Sequence, residues 1–196
     1  MTLRRWLIDK ERYLSRLRNE ISKGKVDEDI IDILNAINSI RDLYTTSSCS
    51  GRIQVAEVEY PWEKWNYKIL GKWHRPVSVD EVLEALRKGK GNVWLKVQPP
   101  MIHIAARTLT TALRVLEIAR NSGFKHSGIQ GIREDRVIVE ILSLDKIEFP
   151  IMIKGRIIVK EGELEGIVHL CNKILLKGKS RLIRFKRELI KAFKGG

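Results

Sequence analysis

The chain of 196 residues has only two cysteines, Cys49 and Cys171, far apart and in different contexts. They make no disulfide framework, and no Cys/His spacing suits a metal, so no metal site is expected. A reducing, cytoplasmic compartment is the simplest home. No apolar run approaches the ~20 residues that cross a bilayer, so no membrane segment is expected. The first ten residues mix charge with a short apolar pattern and show no cleavage site, so no signal peptide is read. There is no Walker loop, and no Gly-x-Gly-x-x-Gly follows a strand pattern, so the usual dinucleotide or Rossmann-methyltransferase fingerprint is missing. Ser48 lacks a nucleophile-elbow context, so a serine hydrolase fits poorly. No repeat of fixed short period occurs. Acidic residues are in deficit: 24 Asp and Glu face 37 Lys and Arg, a net charge of +13.

That excess favours a polyanion, and a nucleic acid is the first partner to consider. Hydrophobic content of 43% with 31% charged residues fits a globular protein with a substantial core. Residues 3–21 have helical spacing through Leu3, Leu7, Leu14, Leu17 and Ile21, with a basic outer face. Residues 27–44 predict a second helix, opened by Asp27, Glu28 and Asp29 and striped by Ile30, Ile33, Leu34, Ile37, Ile40 and Tyr44. Together they suggest an antiparallel hairpin. The run Thr45-Thr46-Ser47-Ser48-Cys49-Ser50-Gly51-Arg52-Ile53 follows. Its side chains compete for local hydrogen bonds, so it reads as a polar turn or an irregular strand entry, with Arg52 offering a fork to a carboxylate or phosphate.

Beyond it, strand patterns alternate with short helices. Tyr60-Pro61-Trp62-Glu63-Lys64-Trp65-Asn66-Tyr67 is an aromatic connection whose rings either stack on bases or, the reading favoured here, anchor the loop to the core. Ser78 and Glu81 form a capping box for a short helix, and Thr108 caps another that ends at Gly123. Arg133-Glu134-Asp135 reads as a hairpin turn, 145–150 as a loop, and Ile151 to Val159 as strand broken at Lys154-Gly155-Arg156. From Glu161 the pattern is helical, with Cys171 on the core face. After Gly178-Lys179-Ser180 a separate last helix carries Arg181, Arg184 and Lys186, a candidate phosphate-tracking face.

Three ordered blocks carry a resemblance: Thr45–Ile53, the Gly71-Lys72-Trp73-His74-Arg75 run, and the span Gln98–Ile129 with Pro99-Pro100-x-x-His103 and Ser122-Gly123-Phe124-x-x-Ser127-Gly128-Ile129. A family strand that runs from a valine to a serine is matched by Val139-Glu140-Ile141-Leu142-Ser143. The chain resembles the wybutosine-synthesis tRNA methyltransferase family from about Lys10 to about Phe185. The resemblance implies methylation by S-adenosylmethionine of ring nitrogen N4 in an aminocarboxypropyl-demethylwyosine base at position 37 of phenylalanine tRNA, with the anticodon loop as partner. It also implies a non-Rossmann α+β fold.

The fold expected is therefore α+β: one domain over 1–196, a mixed sheet flanked by helices, a helical hairpin at the N-terminus and basic helices at the C-terminus, with room for a two-lobed core over 45–160. Ser47, Ser48 and Ser50 are expected to line the site, with Ser48 and Arg52 at the chemistry and Arg52 on the donor's carboxylate or a tRNA phosphate. His103, Ser127, Gly128 and Ile129 are expected to bind the donor together with Ser47 and Ser50, and His103 to relay a proton. Trp73, His74 and Arg75 are expected to meet the modified base or its loop, and Arg181, Arg184 and Lys186 the tRNA backbone. Two alternatives stay open: a non-catalytic RNA-binding module, and a paralogue acting on a different wyosine intermediate.

Overall fold

A computed structural model describes residues 3–63, 65–133 and 135–194. The chain divides into two compact units. Each has its own sheet and its own core.

The first unit comprises the residues up to Ser50, Pro100–Leu144 and those from Lys179 on. Its four strands are β1 (Leu43–Cys49), β5 (Met101–Ala106), β6 (Gly128–Arg133) and β7 (Arg136–Leu142), in the order β1-β5-β7-β6. All three pairings are antiparallel. Alternation along β5 and β7 sends Ile102, Ile104, Val139 and Ile141 to one face. There they meet Ile33, Leu34 and Ile37 of α2 (Glu28–Asn38), Ala112, Val115 and Ala119 of α4 (Leu109–Asn121), and Leu182, Phe185 and Leu189 of α5 (Glu161–Lys194). Phe124 meets Phe185 edge-on, with ring centroids 6.3 Å apart. On the opposite face, α1 (Leu3–Ser22) lays Trp6 and Tyr13 against Tyr44. Trp6 Nε1 donates to the Arg41 carbonyl at 3.1 Å, and the buried Lys10 ammonium donates to the carbonyls of Ile40 and Arg41.

The helix expected over 27–44 stops at Asn38. The Asn38 carboxamide accepts from Thr45 N at 2.8 Å and donates to Thr45 Oγ1 at 3.0 Å, which pins the returning chain beside the helix end. Tyr44 thus belongs to a strand, and its helical spacing from Ile40 and Ile37 is incidental. The hydroxyl run is likewise strand rather than loop. Thr45 and Thr46 are β-branched, and an edge strand suits half-exposed hydroxyls.

The second unit comprises Gly51–Pro99 and Asp145–Gly178. Its strands are β2 (Arg52–Glu57), β3 (Lys68–Trp73), β4 (Val93–Gln98), β8 (Ile147–Ile153) and β9 (Arg156–Ile157), in the order β3-β2-β4-β8-β9, again all antiparallel. Ile53, Val55, Val93, Leu95, Val97 and Ile151 face Val82 and Leu86 of α3 (Val79–Leu86) and Leu164, Val168, Cys171 and Leu175 of α5. The capping box forms: Glu81 N donates to Ser78 Oγ at 3.2 Å and Ser78 N to Glu81 Oε2 at 2.9 Å. Asn172 clasps the start of α3 by bonding both backbone groups of Val77, at 2.9 and 2.8 Å. Burial pushes the Cys171 thiol up to about 11.

The α+β class without a Rossmann sheet is what the structure has. The mixed sheet gives way to two antiparallel ones among the described residues. The loop expected over 145–150 is mostly strand, because Pro150 falls at an irregularity opposite Trp94 where a missing N–H is tolerated. The expected helix break at Gly178-Lys179-Ser180 does not occur: α5 is one helix of 34 residues. An internal glycine costs only about 1 kcal/mol, and Leu175 before it and Leu182 after it are both anchored in cores. The hairpin between β6 and β7 forms as expected, with Glu134 outside the described residues. Among the described residues, no helix is long and apolar enough to cross a membrane.

Candidate active site

The face of the four-stranded sheet that carries Tyr44 and Ala105 at one end carries a polar row at the other. Register sets the row. Ser47 lies opposite His103, His103 opposite Glu140, and Glu140 opposite Gly128, so three neighbouring strands present their side chains in line. Two irregularities complete it. Thr46 is an extra residue in β1, and it moves Ser47 into register with His103. Gln130 is an extra residue in β6, and it reaches Glu140 from the other side.

The bonds are continuous. Ser47 Oγ lies 2.9 Å from His103 Nδ1, His103 Nε2 lies 2.9 Å from Glu140 Oε1, and Gln130 Nε2 donates to Glu140 Oε2 at 2.6 Å. An ionised Glu140 only accepts, so it fixes the proton of neutral His103 on Nε2. Nδ1 is then a lone pair, and the Ser47 hydroxyl is its donor. The His103 and Glu140 side chains are 29% and 17% exposed, which leaves the imidazole reachable yet partly shielded from water. Ser47 itself is exposed. One row along, Cys49, Met101 and Leu142 lie opposite one another on the same face, all half-buried. The arrangement is a hydroxyl backed by an oriented base, beside an apolar shelf. It can accept a proton from a group resting on the sheet.

A cavity of about 210 Å³ adjoins Ser47 and Ser48. It is lined by Tyr13, Arg16, Leu17, Glu20, Lys25, Val26, Thr45 and Thr46. It therefore offers two cations, one carboxylate and several hydroxyls.

The remaining expected residues are spread more widely. Ser50 is buried: its N–H donates to Asp27 Oδ2 at 2.9 Å, and its hydroxyl accepts from Lys179 at 3.3 Å. Ser127 is buried and accepts from Leu142 N at 3.1 Å, fastening the end of β7. Gly128 pairs in the ladder, and Ile129 packs against the core. Of the residues expected to bind the donor, Ser47 and His103 bond to each other. Arg181 donates to Ser143 Oγ at 2.7 Å and closes over Gly123, where the φ of +102° strains any side chain and an added Cβ would stand 2.9 Å from Arg181 Nε. Lys186 pairs with Asp32 at 3.2 Å, while Arg184 is exposed.

In the second unit, Arg52 Nε donates to Gln98 Oε1 at 2.5 Å. The Trp73 indole lies across Gly71, where an added Cβ would stand 2.2 Å from the ring. His74 follows directly, half-buried. Arg75 grips both oxygens of Glu81, at 2.7 and 3.1 Å, and holds that carboxyl down to about 2, helped by the Ser78 N–H. Sequence reasoning missed Gln130 as a partner and gave Glu140 no role. A lone charge in a Val/Ile-rich strand was the visible signal for Glu140; its meeting with His103 required the register.

The family model described as Methyltransferase TYW3 matches residues 8–191. A Thermococcus kodakarensis protein named tRNA(Phe) 7-((3-amino-3-carboxypropyl)-4-demethylwyosine(37)-N(4))-methyltransferase 1 is 41% identical over 183 residues, covering 93% of this chain and 92% of the relative. The Pyrococcus furiosus protein of the same name is 42% identical over 181 residues, 92% of each chain. Among solved structures, the PH1069 protein of Pyrococcus horikoshii superposes with a TM-score of 0.92 at 40% identity, covering 95% of this chain and 97% of that one. Ser47, His103, Gln130 and Glu140 all fall inside the matched span, and the chain belongs to the TYW3 methyltransferase family.

Proposed function

We propose that this protein transfers a methyl group from S-adenosylmethionine to ring nitrogen N4 of the aminocarboxypropyl-demethylwyosine base at position 37 of phenylalanine tRNA, in the cytoplasm. The observation that carries this reading is near end-to-end likeness, at about 40% identity, to proteins named for that one reaction. The net charge of +13 supports an RNA substrate.

The residues beside Ser47 suit the donor's amino-acid end: Arg16 and Lys25 for its carboxylate, Glu20 for its ammonium, Tyr13 and Leu17 for its apolar chain. At about 210 Å³ the cavity falls below the usual size of a whole small-molecule site, so it serves that end only. The donor supplies an electrophilic methyl group on sulfonium sulfur. The chain's residues hold the acceptor in line and take its proton. As N4 attacks the methyl carbon, the methyl–sulfur bond breaks and the donor leaves as its thioether, while the N4 proton passes to Ser47 Oγ and the Ser47 proton to His103 Nδ1, and the imidazolium is stabilised by Glu140. Met101 and Leu142 offer the tricyclic base an apolar surface. Positioning of this kind can contribute on the order of 7–11 kcal/mol. Ser48 takes the supporting role assigned from sequence, Arg52 that of holding a tRNA phosphate, and of Arg181, Arg184 and Lys186 on α5 it is Arg184 that is exposed for another.

The test is transfer of labelled methyl to phenylalanine tRNA from cells lacking the protein. Label in the position-37 nucleoside is expected from the native chain, and its absence with both ligands bound would replace this reading with a different wyosine intermediate.

A further inference from the structure

The second unit carries a cavity that the relay does not use. It measures about 400 Å³ and opens on the face of the five-stranded sheet turned away from that unit's core. Arg52, Gln54, Lys96, Gln98 and Glu148 come from the strands, and Pro61, Trp62, Glu63 and Tyr67 from the aromatic connection. Its volume lies within the range of small-molecule sites.

Three features define its chemistry. The first is a buried cation. Lys96 is 2% exposed, and its ammonium donates to the Pro61 carbonyl at 3.0 Å and stands 5.0 Å from the centre of the Tyr67 ring. No carboxylate pairs with it directly among the described residues; Glu148 acts on it only at longer range, and burial pulls its pKa down. An ammonium removed from water with so few partners favours a ligand that brings electron density.

The second feature is Arg52, whose Nε is occupied by Gln98 and whose two Nη groups have no protein acceptor among the described residues. A planar fork held at one end suits a phosphate. The third is the aromatic rim. Tyr60 and Trp62 stack with centroids 5.0 Å apart and planes 14° from parallel, yet Trp62 is 74% exposed, Tyr60 46% and Trp65 84%. The expectation that these rings anchor the loop to the core is not met: Tyr67 is half-buried, but it bonds Gln54 on the outer face of the sheet. A cluster of exposed rings of this kind marks a binding surface. Rings beside cations are how proteins hold unpaired bases, because every base has a π face. Gln54, Gln98 and Glu148 add acceptors and donors for a base edge.

We propose that this cavity holds one unstacked nucleotide of an RNA loop, its base on the Tyr60–Trp62 platform with its edge toward Gln54 and Glu148, and its phosphate at Arg52. The cavity's chemistry defines the nucleotide; the identification of its source as tRNA rests on the methyltransferase reading above.

The experiment measures two affinities in the native chain and in Trp62→Ala and Arg52→Gln: phenylalanine tRNA by filter binding across a salt series, and S-adenosylmethionine by calorimetry. Loss of one stacked base predicts weaker tRNA binding by roughly tenfold or more in Trp62→Ala, with the salt slope unchanged. Arg52→Gln is expected to weaken binding and lower the salt slope by about one phosphate. Donor affinity is expected to stay within about twofold of native in both. Unchanged tRNA affinity in both variants overturns the proposal. Loss of donor affinity instead also overturns it and makes the cavity the donor's adenosine site. Trp62 is largely exposed, so its removal leaves folding intact and keeps the result interpretable. If the native chain binds tRNA through Trp62 but neither binds the donor nor transfers methyl, the nucleotide site stands and the methyltransferase reading falls.

Discussion

The two sheets of this protein are both antiparallel and both buried on one face, but the polar groups on their other faces differ in how far they satisfy one another. The four-stranded sheet presents Ser47, His103, Glu140 and Gln130, four polar side chains already bonded to one another. The five-stranded sheet presents Arg52 and Lys96 beside rings that make few bonds of their own. A closed hydrogen-bond chain fixes a tautomer and moves a proton. An under-satisfied set of cations and rings suits a ligand from outside. The contrast teaches that chemistry and recognition are read from how satisfied the polar groups are, more than from which groups are present.

The most direct way to break the comparison is His103→Gln. Loss of a positioned base is expected to lower methyl transfer by roughly 10²–10⁴-fold with tRNA and donor affinities little changed. A drop in tRNA affinity of the same size would instead move the relay into recognition. Next in size is a control on folding. Phe185→Ala should cost about 3–5 kcal/mol in denaturant unfolding, because Phe185 is fully buried in the first unit's core. Trp62→Ala should leave stability within about 0.5 kcal/mol.

Glu140→Gln sharpens the contrast further. The amide cannot stabilise the imidazolium, so single-turnover transfer should fall by roughly ten- to a hundredfold and its pH profile should shift, whereas a spacer role for Glu140 would move neither. The smallest effect concerns Arg75. If Arg75 is committed to Glu81, the Glu81 carboxyl titrates near 2 by NMR. Its folded value is depressed, so the stability it contributes is present above the ordinary carboxylate range and is lost as pH falls toward about 2. In Arg75→Ala that midpoint should rise, but only in part, because the Ser78 N–H still bonds the carboxylate. A midpoint unmoved by the substitution would release Arg75 for the substrate role read from sequence.

Much of the local structure was legible from sequence. The capping box at Ser78, the cap at Thr108 and the helical stripe around Cys171 form as read, since each depends on residues within a turn or two. The misjudged stretches were those in which a distant contact overrode local preference. Asn38 stops a helix by bonding Thr45, and two cores carry α5 through Gly178. The exposed rings at Trp62 and Trp65 were visible as aromatics, but their exposure was not.

The sequence by itself determined the charge that favours RNA, the ordered blocks that resemble the methyltransferase family, and His103 as a candidate base. Tertiary structure alone decided what His103 touches. Ser47 and Glu140 are 56 and 37 residues away from it, and Gln130 is 10 from Glu140. Only the strand order β1-β5-β7-β6, with one extra residue in β1 and one in β6, sets them in a line. Strand register is fixed by burial of one whole face, a property that no single segment of the chain contains.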